Sequence, residues 1–203
     1  MQPIAGAKRA GELCAADTWE PADAPVTRGP TEALAGKLNA LLGGRPAHAA
    51  LASRVLQAFC EQIFTFGAPG RGYAAKLVSN FLAFTNLTAV AEEMATATQA
   101  GLNLPLLMQA LAVSGSQSRV LDGLAPVIAG AGGPRSRVTL ATAHKDIMYY
   151  RRFASTLHTA GPVAAQVEQQ LAHALAAGLG HSFKPDYLRH VAASCDRSAS
   201  STQ

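Results

Sequence analysis

The sequence predicts a chain in two parts, an α/β layer followed by an all-α region, with helix dominant overall. Three observations carry this. Hydrophobic residues make up 49% of the 203 and charged residues only 15%, which gives enough apolar surface for a sizeable core and calls for much buried or interfacial helix. Alanine, the strongest helix former, is frequent throughout. The texture also changes near Phe66. Before it, short apolar runs alternate with turn signals; from Gly67 to Val191 nearly every stretch has helical spacing.

In chain order, residues 7–16 fit a helix. Residues 24–26 form a short strand candidate, followed by the loop signal Thr27-Arg28-Gly29-Pro30. Leu38–Leu42 is a second strand candidate, closed by Gly43-Gly44. Residues 46–59 have helical spacing, with Leu51, Val55 and Phe59 on one face, and residues 62–66 form a third strand candidate. Strands alternating with helices indicate a layer with helix crossovers. Gly67-Ala-Pro-Gly-Arg-Gly72 interrupts the pattern. A long helix is predicted over residues 73–100, stopped by Gly101. Further helices are predicted over 104–113, 118–129, 138–160 and 162–177, with Pro162 suited to a helix start and Gly178 to a stop. The domains expected are 1–70 and 71–191, and the polar, Ser-rich residues 192–203 read as a disordered tail.

Composition excludes several classes. The net charge of +4 is mild. The short basic pairs Arg135/Arg137 and Arg151/Arg152 lack the interleaved aromatics of single-strand binders, so no nucleic-acid partner is expected. Three widely spaced cysteines, Cys14, Cys60 and Cys195, with no CxxC, fit neither a disulfide framework nor a zinc site. No signal-like N-terminus or apolar run of about 18 residues occurs. A soluble, cytoplasmic protein with no metal and no membrane contact is expected.

Lys76 is the outstanding residue. It is the only charged side chain between Tyr73 and Ala91, on a helix apolar enough to be covered on most sides. Lysine is seldom buried unpaired. Burial weakens an ammonium's hold on its proton, which suits general acid–base work. Asn80 lies four residues on and projects from the same face, so the two can hold a hydroxyl and a carboxylate. The competing structural reading is a lysine snorkelling to solvent. Gly70-Arg71-Gly72 opens this helix either as an anion site at a helix N-terminus or as a plain interdomain turn. GAPGRG is not GxGxxG, and no phosphate-cradling loop of known type occurs in the chain. The histidines show no metal-ligand spacing, and no GxSxG elbow is present.

Gly72-x-x-x-Lys76-x-x-x-Asn80, opening an apolar helix after a Gly-rich turn, resembles the catalytic motif of the β-hydroxyacid dehydrogenases, the family of 3-hydroxyisobutyrate dehydrogenase. Asp23-Ala-Pro-Val-Thr-Arg-Gly-Pro30, Ala35-Gly-Lys-Leu-Asn39 and Gly43-Gly44 resemble its substrate-loop segment. Ala91-Glu92-Glu93, Gly101-Leu102-Asn103, Ser114-Gly-Ser-Gln-Ser118 and Lys145-Asp146 follow in the family's order, so the likeness runs over residues 5–190. The resemblance implies an α/β remnant of a Rossmann-type parallel sheet and, after it, an all-α substrate and dimerisation domain. It implies NAD or NADP as cofactor, a small hydroxy-acid substrate and a homodimer. Lys76 would be the acid/base on the substrate hydroxyl. Asn80 would hold the substrate, Thr27, Arg28 and Gly29 would face its carboxylate, and Lys145 would approach the cofactor. Only about twenty residues precede Asp23, so the front half of the nucleotide-binding domain, with its fingerprint loop, is expected to be missing. Where the family usually has Ser-Gly-Gly, this chain reads Thr27-Arg28-Gly29, and arginine favours planar anions. Two other readings are a catalytically dead remnant serving as a helical dimerisation module and an imine-reducing relative. Lys76 counts against the latter.

Overall fold

A computed structural model of the chain describes residues 22–130 and 138–200, side chains 196–200 excepted. The helix expected over 7–16, Cys14 and the Arg135/Arg137 pair lie outside the described residues. The order is β1 (Val26–Thr27), α1 (Pro30–Leu34), β2 (Leu38–Leu42), α2 (Pro46–Leu56), β3 (Cys60–Thr65) and α3 (Arg71–Gln99). Then follow α4 (Leu104–Ala112), α5 (Arg119–Ile128), α6 (Leu140–Thr156), α7 (Pro162–Ala176) and α8 (Lys184–Ser200). The chain divides into two compact units, Met1–Ser79 and Asn80–Gln203. The division falls within α3, whose first two turns group with the sheet.

In the first unit the strands lie in the order β1-β2-β3. β2 and β3 are parallel, with Ala40 opposite Ile63 and Leu42 opposite Thr65. The link between them carries α2 and is long enough for a crossover. β1 pairs with β2 antiparallel, Val26 opposite Ala40 and Thr27 opposite Asn39, so the sheet is mixed and not the parallel one expected. The link 28–37 is shorter than the dozen or so residues a parallel crossover needs. That link also holds α1, where the sequence showed only a loop. Pro30 fits its first position, and the Glu32 carboxylate reaches back to accept from Gly29 N at 3.0 Å.

The core of this unit is Ala40, Leu42, Ala49, Leu56 and Cys60. The packed side of α2 is therefore Ala49–Leu56, while Leu51 and Val55 are 60% and 66% exposed. Both stripes have helical spacing, and periodicity alone does not say which one faces the sheet. Burial pushes the Cys60 thiol above its ordinary pKa, so it is not an activated nucleophile.

The second unit packs Leu87, Val90, Ala91 and Met94 of α3 against Leu124, Leu140, Ile147 and Leu171 of the later helices. Three of its helix starts are capped by side chains. Asn103 accepts from Leu106 N at 3.0 Å, Ser118 from Leu121 N at 3.1 Å and Thr139 from Thr142 N at 3.3 Å. Earlier on α3, Val78 and Leu82 are 53% and 61% exposed, so that stretch is less covered than its composition predicts.

The tail expected from Ala192 is instead helical to Ser200. Phe183 N donates to Asp186 at 3.0 Å and Arg189 pairs with the same carboxylate at 2.5 Å. The Phe183 bond, then Arg189, holds this carboxyl below its usual range despite some desolvation. Tyr187 and Leu188 anchor the helix in the core. Burial, reinforced by the Glu92 charge, pushes the Tyr187 phenol up to about 12, so it stays neutral. With Val191 packed beside them, these anchors suffice for a helix whose other faces are solvated, and a scan for polar composition misses it.

Glycine is required most plainly at Gly72. A Cβ there would lie 2.2 Å from Leu41 O and 2.9 Å from Asp23 O, and backbone oxygens do not swing aside. Gly123, inside α5, has nothing within 4 Å of an added Cβ. Gly72→Ala is expected to cost about 3 kcal/mol, whereas Gly123→Ala stabilises by about 0.5–1 kcal/mol through helix propensity. Urea unfolding of the two variants checks the opposite signs.

Candidate active site

In the first unit, the start of α3 is held against the sheet by one carboxylate. Asp23 is buried, 6% exposed, and its backbone exchanges bonds with Gly43, N to O at 2.8 Å and O from N at 2.7 Å. Its two carboxylate oxygens accept from Gly70 N at 2.5 Å and from Tyr73 N at 2.7 Å. The anion at this helix N-terminus is thus internal, and the question left open for Gly70-Arg71-Gly72 is answered as a turn that the chain itself caps. The role of Asp23 was not legible in sequence; the signal available was the close pairing of Gly43 and Gly72, each bare where Asp23 passes.

One turn beyond, Lys76 is half-buried. Its ammonium donates to Val26 O at 2.9 Å, which places it beside the last residues of β1. Sequence reasoning assigned the next three residues, Thr27, Arg28 and Gly29, to substrate. Thr27 stands in the β1–β2 pair opposite Asn39, whose Oδ1 is buried and accepts no hydrogen bond among the described residues. Arg28 adopts φ 76°, a left-handed conformation that costs a non-glycine residue about 1–3 kcal/mol. Its Nη1 donates to Lys37 O at 2.7 Å and lies 2.5 Å from Glu61 Oε2.

Asn80 follows Lys76 by one turn of α3. In the second unit its Nδ2 donates to Asp146 Oδ2 at 2.7 Å. The other oxygen of Asp146 pairs with Lys145 Nζ at 2.9 Å, and that ammonium lies 5.7 Å from the Tyr149 ring centre. Asn80 and Lys145 are therefore joined through Asp146, to which the sequence assigned no role of its own.

Among the described residues no three His, Cys, Asp or Glu side chains come together to hold a metal, and no helix is long and apolar enough to cross a membrane. A dinucleotide needs backbone N–H groups free to cradle its pyrophosphate. The turn at 67–72 does not offer them, since Asp23 takes the Gly70 and Tyr73 donors and backbone fills the space at Gly72. Lys145, exposed and cationic, fits a contact to the cofactor's periphery.

Comparison with known proteins places the chain in a family. The family model described as NAD-binding of NADP-dependent 3-hydroxyisobutyrate dehydrogenase matches residues 70–190. The chain is 29% identical over 181 residues to the 3-sulfolactaldehyde reductase of Escherichia coli (strain K12), covering 87% of this chain and 59% of that protein. It is 28% identical over 160 residues to the L-threonate dehydrogenase of the same organism, covering 78% and 52%. The chain thus spans little more than half the length of these relatives. A crystal structure of 3-hydroxyisobutyrate dehydrogenase from Salmonella typhimurium superposes with a TM-score of 0.80 at 24% identity, over 92% of this chain and 66% of that one, which shows a shared fold. With more than half its length matched by the family model, and with the Gly72–Lys76–Asn80 spacing inside the match, the chain belongs to the β-hydroxyacid dehydrogenase family of 3-hydroxyisobutyrate dehydrogenase type.

Proposed function

We propose that this protein is an NAD(P)-dependent oxidoreductase that interconverts a small 3-hydroxy acid and its aldehyde acid, with Lys76 as the acid/base. The observation that supports this most is the setting of Lys76. A capped helix start fixes its backbone, and its ammonium is held at the end of β1, next to the loop 27–29. In oxidation a nicotinamide cofactor, when bound, would supply the acceptor for the carbinol hydride. In that direction the Lys76 amine takes the hydroxyl proton, and in reduction the ammonium returns it. Thr27, Arg28 and Gly29 receive the substrate carboxylate, Asn80 orients the substrate and Lys145 meets the cofactor. The relatives' names support an anionic substrate, since 3-sulfolactaldehyde carries a sulfonate and L-threonate a carboxylate.

The test is nicotinamide reduction by the purified protein with a panel of 3-hydroxy acids and their neutral amides, using NAD and NADP separately. Turnover with at least one acid, and little with its amide, is the expected result. A folded protein that reduces neither cofactor with any acid overturns the reading.

A further inference from the structure

Arg28 stands where a glycine would carry the same backbone without strain. Its φ of 76° is maintained by two side-chain contacts, and both fall on one nitrogen. Nη1 donates to Lys37 O at 2.7 Å and sits 2.5 Å from Glu61 Oε2. Nε and Nη2 make no hydrogen bond among the described residues. These two nitrogens present parallel N–H bonds, the side-on fork that matches the two oxygens of a carboxylate. The side chain is 23% exposed and that of Glu61 42%, so the fork is reachable while its rear is held. A long, flexible cation would otherwise lose several rotamers on binding an anion; here the rotamers are already restricted.

We propose that Glu61 on β3, together with the Lys37 carbonyl, positions Arg28 so that its Nε/Nη2 edge grips a substrate carboxylate, which makes Glu61 a specificity-determining positioning residue. Glu61 touches no substrate. It aims the guanidinium and selects acids over neutral analogues, because a planar carboxylate fills the fork and an amide presents only one oxygen to it. The inference rests on the reading above that the substrate is an acid, and it adds the group that enforces this.

The experiment compares Glu61→Ala, Glu61→Gln and the parent protein in two assays. In steady state, Glu61→Ala is expected to raise KM for the acid about tenfold with kcat within about twofold, the pattern of lost uniform binding. KM for the amide should stay unchanged. Glu61→Gln, which keeps an acceptor oxygen and loses the charge, should recover part of the loss. Equal changes for acid and amide overturn the proposal, since that is what general damage to the loop produces. A lower KM in Glu61→Ala also overturns it, because Glu61 would then be a competitor that substrate must displace. In the second assay, calorimetric titration with 3-hydroxypropionate and with 3-hydroxypropionamide needs no turnover. Acid binding weakened by Glu61→Ala in a protein without dehydrogenase activity sinks the oxidoreductase reading alone. Normal turnover with no effect of Glu61→Ala in either assay sinks the positioning role alone.

Discussion

Lys76→Ala is expected to lower kcat by about 10²–10⁴-fold, the usual contribution of a positioned acid/base, equivalent to about 3–5 kcal/mol of transition-state stabilisation. KM should move far less, because proton transfer is made only in the transition state. The hydrogen bond to Val26 O is worth about 1 kcal/mol, well below the catalytic effect. Lys76→Arg separates proton transfer from charge. A guanidinium keeps the positive charge but does not release its proton in proteins, so its rate should stay close to that of the alanine variant. Rate recovery in Lys76→Arg would assign Lys76 an electrostatic role only. Steady-state kinetics on both variants, with thermal melts to confirm folding, decides between these outcomes.

How much of this was legible in the sequence depends on the range of the interaction. Lys76 and Asn80 stand out locally, as the one charge and a nearby amide on an apolar helix, and helical spacing places them one turn apart. Strand β2 was legible to the residue because Leu38–Leu42 is bounded by Lys37 and a Gly-Gly pair. The caps at Asn103, Ser118 and Thr139 are each decided within four residues, so helix starts were legible to within a residue or two. What the sequence hid is choice of partner. Asp146 bonds to a residue 66 positions away and Asp23 to residues 47 and 50 positions away, and no local pattern selects one aspartate over another. Arg28 was read as an anion ligand from its place in the substrate-loop resemblance and from its residue type. Its ion pair with Glu61 follows from bringing the β1–α1 loop and β3 to one side of the sheet. The direction of β1 was hidden too, because a two-residue strand carries no periodicity and only the length of the link decides it.

The second large effect belongs to Asp23, whose backbone pairs with Gly43 at the end of β2 and whose side chain caps the start of α3. Asp23→Ala is expected to destabilise the protein by about 3–5 kcal/mol, from two charge-assisted bonds lost and two helix-terminal N–H groups left without acceptors in a buried place. No nearby side chain replaces it, since Gly43, Gly70 and Gly72 offer none, and the space at Gly72 is closed by backbone. Asp23→Asn tests whether the carboxylate is needed or only its shape. The amide has one acceptor oxygen, so it can satisfy Gly70 N or Tyr73 N but turns an NH2 donor toward the other. It should therefore recover less than half of the loss. Urea unfolding gives the stabilities, and the activity of each variant at a temperature where it remains folded gives the consequence for the site. Because Asp23 fixes where α3 begins, Lys76 moves with it. The alanine variant should lose rate beyond what its unfolded fraction explains, while an equally destabilising change in the second-unit core, such as Leu171→Ala, should not. An asparagine variant as stable as the parent would show that the helix start is held by the glycine packing, and that the carboxylate is incidental to it.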